Sequence, residues 1–446
     1  MTSDLESQIA QWRGYVDGHP AIAAADIEEM EGHLRDQVAD LVSSGLSDDE
    51  AFLVAVKRMG RLDDISREFA REHSERLWKQ LVLTGDGRSP GVGSHLPAAI
   101  GVAIAAAVTV RLAMTFVDAS IVGPNVSLIV LPFITGYLGW TRQLTGRAIV
   151  AVVATYAVAA LAMNAYPWET HEGDSRSQIL AVTHLPIVLW LVVGLAYAGG
   201  EWHSHAKRMD FIRFTGEWVV YMALLALGGG VMTGLTVASF SALGVGHEDV
   251  IASWIIPMGA AGATVVAAWL VEAKQAVVEN IAPVLTKVFT PLALVMLIAL
   301  LSGLAARRSF VDLDRNLLTL VDLILALVLG LVLYAISARD PLAEPGLFDR
   351  LQFVLLAVAL ATDAVLLVAM LARIADAGFT ANKVAALGMN LVLLVNLVWS
   401  TRLLARFNRG AASFADLERW QTAYLPVYGL WAAFVVIGLP PLFAFA

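Results

Sequence analysis

The sequence predicts an all-α, polytopic helical membrane protein of about eleven transmembrane helices, preceded by a small N-terminal soluble helical domain. Three observations carry that prediction. From about Leu96 onward the chain is a relay of long apolar runs broken by short charged loops, and roughly 18 or more apolar residues are needed for a helix to cross a ~30 Å hydrocarbon core. Hydrophobic residues make up 58% of the 446 residues and charged residues 15%, with a mean hydropathy of +0.69, well away from the balance of soluble domains. The charge is also unevenly placed. Residues 1–90 hold 18 of the 39 acidic and 10 of the 30 basic side chains, so −8 of the net −9 lies on that segment.

Residues 1–83 read as a helical domain. Ser3 and Glu6 form a capping box for a first helix that Gly18-His19-Pro20 closes. A second helix is expected from near Asp26 to Ser43, with Ile27, Met30, Leu34, Val38 and Leu41 in one apolar stripe. Gly45 ends it, and Ser47-Asp48-Asp49-Glu50 caps a third helix carrying Phe52, Val56 and Met59 before Gly60. A fourth helix from near Asp63 carries Ile65, Phe69, Leu77 and Leu81. Such short stripes bury little apolar surface, so the domain is expected to be marginal alone. The Gly/Pro/Ser-rich stretch 84–95 then reads as a flexible linker.

Within this domain, Glu31-Gly-His-Leu-Arg-Asp-Gln-Val, Gly45-Leu-Ser-Asp-Asp-Glu-Ala-Phe and Ala55-Val-Lys-Arg-Met-Gly-Arg-Leu-Asp-Asp-Ile resemble the bacterial permease-prefix (HAAS-like) domain over about residues 25–75. The resemblance implies a cytoplasmic interaction or signalling module that precedes permease segments or sits near PadR-type regulators, and it brings no active site. Phe379-Thr-Ala-Asn-Lys and Trp420-Gln-Thr-Ala-Tyr-Leu-Pro-Val-Tyr-Gly are similar to an uncharacterised multipass family found behind such prefixes.

The membrane part, 96–446, holds eleven expected spans, near 96–117, 123–140, 148–164, 179–199, 218–244, 250–271, 288–305, 317–337, 351–372, 384–401 and 421–444. The acidic N-terminus lacks a signal-peptide pattern and is expected to stay in the cytoplasm. Loops on that side then carry thirteen basic residues, from Arg142 and Arg147 to Arg409 and Arg419. The opposite loops carry six: Arg176, Arg307, Arg308, Arg315, Arg373 and Lys383. That asymmetry obeys the positive-inside rule and leaves the C-terminus outside, and the prefix resemblance implies a bacterial inner membrane. In the longest outer loop, 164–178, Tyr166 and Trp168 are expected to anchor at the interface.

Several function classes are excluded. No cysteine is present, which removes disulfides, thiolate nucleophiles, Fe–S clusters and Cys-type zinc sites. No Walker lysine loop, His-Glu-x-x-His helix or Gly-x-Ser-x-Gly elbow occurs, and the acidic soluble unit is unsuited to nucleic acid. His203 and His205 lack a third ligand nearby, so their loop, with Lys207 and Arg208, is expected to be a solvated basic loop facing lipid. Neither an enzyme, a cofactor nor a metal is expected.

Ionisable and amide groups inside spans are the informative clue, because a buried charge costs several kcal/mol unless paired or wet. Arg111, His184, Asp322 and Asn390 lie at similar depths from the outer ends of their spans, and Asp363 lies nearer the middle. Shared depth allows one site in which Arg111 pairs with Asp322 or Asp363 while His184 and Asn390 supply hydrogen bonds. Two aspartates on successive spans are similar to intramembrane aspartyl proteases, yet Leu-Thr-Leu-Val-Asp322 and Leu-Ala-Thr-Asp363 lack that family's signatures. Gly228-Gly229-Gly230 with Gly234, and Gly259 with Gly262, are expected at close helix contacts. Pro257, Pro283 and Pro291 are candidates for helix interruptions, and 279–287 for a short amphipathic or re-entrant element.

The function expected from these features is a permease-like transporter of a small solute, coupled to protons through Asp322 or Asp363. The rival class is a membrane sensor or scaffold signalling to a cytoplasmic partner protein through residues 1–83.

Overall fold

The computed structural model describes residues 5–6, 9–10, 13, 24–43, 46–48, 51–52, 54–55, 95–168, 175–242, 250–273, 281–306 and 315–445. The chain divides into two compact units, Met1–Ser89 and Pro90–Ala446. Among the described residues every regular element is helical.

In the first unit, α1 (Ala24–Ser43) buries Leu34, Val38 and Leu41, the last three members of its expected stripe, against Leu5, Ile9, Ala51 and Ala55. Arg35 on its polar side binds Glu31 one turn away at 2.9 Å and Glu6 at 2.7 Å. That guanidinium holds the Glu6 carboxyl below the usual carboxylate range. The Ser3 and Glu50 positions of the capping boxes, the Gly18-His19-Pro20 turn, Val56, Met59, the fourth helix and residues 84–94 of the linker lie outside the described residues. So do the side chains of Ile27 and Met30.

The second unit carries eleven helices long and apolar enough to cross a membrane. They are α2 (Leu96–Phe116), α3 (Ala119–Thr141), α4 (Gly146–Ala165), α5 (Arg176–Tyr197), α6 (His205–Ala242), α7 (Ile256–Ala273), α8 (Ile281–Ala305), α9 (Arg315–Ser337), α10 (Leu347–Ala377), α11 (Ala381–Asn408) and α12 (Phe414–Ala433). A π-helical turn, Ile251–Ile255, leads into α7. A second, Phe434–Gly438, extends α12 into the short α13 (Leu439–Leu442).

Two cores form. The first gathers α2 to α5, the base of α6 and α7 around Ile134, Leu138, Leu185, Leu189 and Val265. The second gathers α8 to α12 around Leu297, Val321, Leu355, Ala359 and Leu404. The base of α6 joins them, sending Phe211 and Phe214 into the first and Met209 and Ile212 into the second. This base is the largest departure from the expected spans. α6 begins at His205, thirteen residues before the expected 218, because Arg208 and Glu217 are buried within the protein, 9% and 2% exposed, rather than placed in a loop. At 1.5 Å per residue its 38 residues run about 57 Å, far more than the hydrocarbon core requires. Gly216 permits the packing of this base, since a Cβ there would lie 2.1 Å from the Tyr334 ring.

Other expectations need correction. A Cβ at Gly228, Gly229, Gly230 or Gly234 would meet nothing within 4 Å, because this stretch of α6 stands clear of its neighbours within the chain, and a Cβ at Gly259 on α7 would meet nothing either. Gly262 alone of that set makes a close contact, 3.5 Å from the Ala103 carbonyl, where α2 and α7 pack. Pro283 and Pro291 lie within the continuous α8, so Pro257, just after a π turn, is the one proline of the three beside an irregularity. Of the 279–287 element, Lys287 is exposed on α8, and 279–280 lie outside the described residues.

The basic loop is not solvated throughout. Arg208 donates to the carbonyls of Trp202 and Thr422, and His205 shares a 2.7 Å hydrogen bond with the Thr422 hydroxyl. Tyr166 and Trp168 pack with Phe445 at centroid distances of 5.2 and 6.3 Å, so in this chain they hold the C-terminal end.

Candidate functional site

Of the five intramembrane residues, Arg111 and His184 stand apart from the rest. Arg111 projects from α2 toward the π turn before α7, where Nη1 donates to the Ser253 carbonyl at 3.1 Å and the guanidinium lies 3.9 Å from the Trp254 ring centroid. The expected Arg111–Asp322 or Arg111–Asp363 pair is therefore not formed. Helix depth is readable from spacing, whereas the partner of α2 is α7, a tertiary fact. The second π turn is served in the same way, since the Tyr166 hydroxyl donates to the Ile437 carbonyl at 2.9 Å. In both, a carbonyl of the widened turn meets a side-chain donor from a distant part of the chain, α2 for Arg111 and the residue just after α4 for Tyr166. His184 Nδ1 bonds the carbonyl of Leu180 one turn back on α5 at 2.8 Å and lies 3.2 Å from the Thr183 hydroxyl, so it supplies no hydrogen bond to the carboxylates through that nitrogen.

Asp322, Asp363 and Asn390 do come together. They sit on α9, α10 and α11, three consecutive helices that pack in sequence order. Asp322 lies within electrostatic range of Asp363 and beside the Asn390 carboxamide. Their walls are apolar: Val321 and Leu325 from α9, Ala359 and Leu366 from α10 and Leu393 from α11 all belong to one buried cluster. Asp363 and Asn390 are 0% exposed. Neither oxygen of Asp363, nor Asn390 Oδ1, nor Asp322 Oδ1 has a hydrogen-bond partner, and the Asn390 amide reaches no group but the Asp322 carboxyl beside it. Thr362, next in sequence, turns its hydroxyl back to the Val358 carbonyl at 2.9 Å.

Among the described residues, Arg142–Glu272, Lys207–Glu201 and Arg339–Asp349 are ion pairs of the membrane unit, and none of these involves Asp322 or Asp363. A fully buried carboxyl with a second, half-buried carboxyl within electrostatic range cannot stay ionised and uncompensated without a cost of several kcal/mol. The arrangement is suited to taking up a proton or a small cation.

A second polar cluster escaped the reading of the sequence. Asn396 Oδ1 accepts from Trp420 Nε1 at 2.7 Å and from the Ser400 hydroxyl at 2.9 Å. Its Nδ2 donates to Gln421 Oε1 at 3.1 Å and to the Tyr428 hydroxyl, and Gln421 Nε2 donates to Ser400 at 2.6 Å. Each polar side-chain atom of this α11–α12 cluster has a hydrogen-bond partner. The signal available was the Asn396/Ser400 spacing of four, which puts both on one helix face. Polar groups that join membrane helices look like this, and the Asp322–Asp363–Asn390 group does not.

No protein-family model, curated protein sequence or solved structure matches the chain. Fold and site together define a multipass helical membrane protein with an uncompensated carboxylate pair inside one of its two helical cores.

Proposed function

We propose that the protein is a permease-like transporter of a small solute, with transport coupled to proton exchange at Asp322 and Asp363. One observation carries this reading: Asp363 is fully buried, both its oxygens lack partners, and a second carboxylate stands beside it. Intramembrane acids that bear no structural bonds mark ion pathways. The satisfied Asn396 cluster supplies the contrast within the same bundle.

In this reading the N-terminal unit and the Arg142, Arg208, Arg213 and Arg339 ends of the helices face the cytoplasm of a bacterial cell, in keeping with the excess of basic residues on that side. Residues 1–83 then form a regulatory prefix able to engage a cytoplasmic partner. The test is solute-dependent proton uptake by purified protein in liposomes, comparing wild type with Asp322→Asn and Asp363→Asn across a panel of solutes. Uptake that vanishes in a folded variant supports transport. Uptake absent from wild type across the panel overturns it and moves weight to sensing through residues 1–83.

A further inference from the structure

We infer that Asp322, Asp363 and Asn390 form a site for one small monovalent cation of the Na⁺ type, held by carboxylate and carboxamide oxygens from α9, α10 and α11. The inference rests on the transport reading for its role; the binding is argued from the burial of Asp363 and Asn390 and from their unpartnered oxygens.

Asn390 is the observation that goes beyond a pair of acids. A carboxamide that is 0% exposed with Oδ1 unpartnered carries a desolvation cost of about 1–3 kcal/mol. A proton on one aspartate makes one O–H donor, which serves either the other carboxylate or the Asn390 amide oxygen but not both. A cation among the three side chains engages both Asp363 oxygens, Asp322 Oδ1 and Asn390 Oδ1 together, and leaves Asn390 Nδ2 to donate toward the Asp322 carboxyl it adjoins.

The donor set and the walls select the ion. Carboxylate and amide oxygens are hard ligands suited to hard cations. Mg²⁺ keeps several of its waters in near-octahedral geometry, and Ca²⁺ takes about six to eight oxygens. Here Asp363 and Asn390 are fully buried and Asp322 half-buried, on helices whose Leu325, Ala359 and Leu366 belong to one apolar cluster, which favours a less strongly hydrated monovalent ion. One Na⁺ with one proton leaves the carboxylate pair neutral. Nearby basic groups are engaged elsewhere: Lys383 donates to the Arg373 and Gly378 carbonyls at 2.9 Å each, and Lys287 faces outward.

The test is equilibrium binding of radiolabelled Na⁺ to the purified full-length protein in detergent at one fixed pH, with choline as the replacing cation. Wild type is expected to bind one Na⁺ per chain saturably, and its melting temperature to rise with NaCl but not with choline chloride. Asn390→Leu should weaken binding by roughly tenfold or more, Asn390→Asp should retain it, and Asp363→Asn should abolish it. The Asn390 pair keeps the test readable if Asp363→Asn does not fold. No saturable binding to wild type, unchanged affinity in Asn390→Leu, or equal affinity for Ca²⁺ overturns the inference. Missing Na⁺ binding with intact solute-driven proton uptake sinks this inference alone, while Na⁺ binding without flux of any solute sinks the transport reading alone.

Discussion

Arg339 and Asp349 meet in a two-point contact across the turn between α9 and α10, Nε lying 2.7 Å from Oδ1 and Nη2 3.2 Å from Oδ2. The guanidinium also donates to the carbonyls of Asp340, Ala343 and Glu344 and lies over the rings of Phe407 and Phe414, at 4.7 and 4.4 Å. Asp349 in turn accepts from the Gly346 amide at 2.7 Å. One arginine thus ties the α9–α10 turn to the α11–α12 turn. Removing one partner of a largely buried pair strands the other, at about 3–5 kcal/mol. Arg339→Leu is expected to lower the melting temperature more than any substitution below. Arg339→Lys should fail to rescue it, because lysine lacks the planar fork and stacks poorly on the rings. Intrinsic tryptophan fluorescence is a suitable readout for a chain with 12 tryptophans and no cysteine for thiol dyes.

Gly388 on α11 faces the indole of Trp431 on α12. A Cβ there would lie 2.0 Å from two ring carbons, so the ring or the helix must shift. Gly388→Ala is expected to cost about 1–3 kcal/mol as an overpacking change. Trp431→Leu should recover much of that loss in the double variant while being destabilising alone, a coupling that thermal melts of the four combinations will read.

How much of this was legible in the sequence follows from what each feature depends on. All eleven spans were visible because length and hydropathy are local. The start of α6 was not, because Lys207, Arg208, Asp210, Arg213 and Glu217 interrupt the apolar run although they continue the helix. For Arg208 and Arg213 the compensation comes from distant carbonyls: Arg208 donates to Thr422, and Arg213 donates to Ser337 at 3.0 and 2.6 Å. The depths of Arg111, His184, Asp322, Asp363 and Asn390 were readable. Their grouping was not, since nothing local sets α2 against α7 or keeps α9, α10 and α11 adjacent. The π turns were hidden for the same reason, their carbonyl partners Arg111 and Tyr166 lying 142 and 271 residues away.

Asp118 caps α3. Its Oδ1 accepts from the Ser120 amide at 2.9 Å and from the Ser120 hydroxyl at 2.8 Å, and these bonds hold its carboxyl below the usual range. The sign is that of a depressed acid: the cap's contribution is complete above the ordinary carboxylate value and is lost as pH falls through the lower folded value. Amide exchange in the first turn of α3, corrected for intrinsic rate, should therefore accelerate at acid pH. Asp118→Asn keeps an acceptor that cannot ionise, so its protection should be independent of pH.

Asn125 on α3 and Asn164 on α4 exchange reciprocal amide hydrogen bonds, each Nδ2 to the other's Oδ1 at 2.9 Å. Such bonds between membrane helices are worth about 0.6 to 2 kcal/mol. Asn125→Leu alone strands the Asn164 amide and should lower the melting temperature. The double variant to leucine should be close to wild type if the unpaired partner is the main cost.

Asp363 sets stability against function. As an acid with no structural bond in an apolar core, it is a burden that only a bound proton or cation relieves. Asp363→Leu removes that burden and fills the space with a side chain the surrounding leucines accept, and exchanges of buried charge for well-packed apolar groups are often neutral or stabilising by about 1–4 kcal/mol. The variant is expected to melt at or above the wild-type temperature in low salt and to lose every stabilising response to NaCl. In liposomes it should carry no solute-dependent proton uptake. A marked loss of stability in low-salt melts would instead mean that Asp363 holds the helices together, and the ion reading would fall with it.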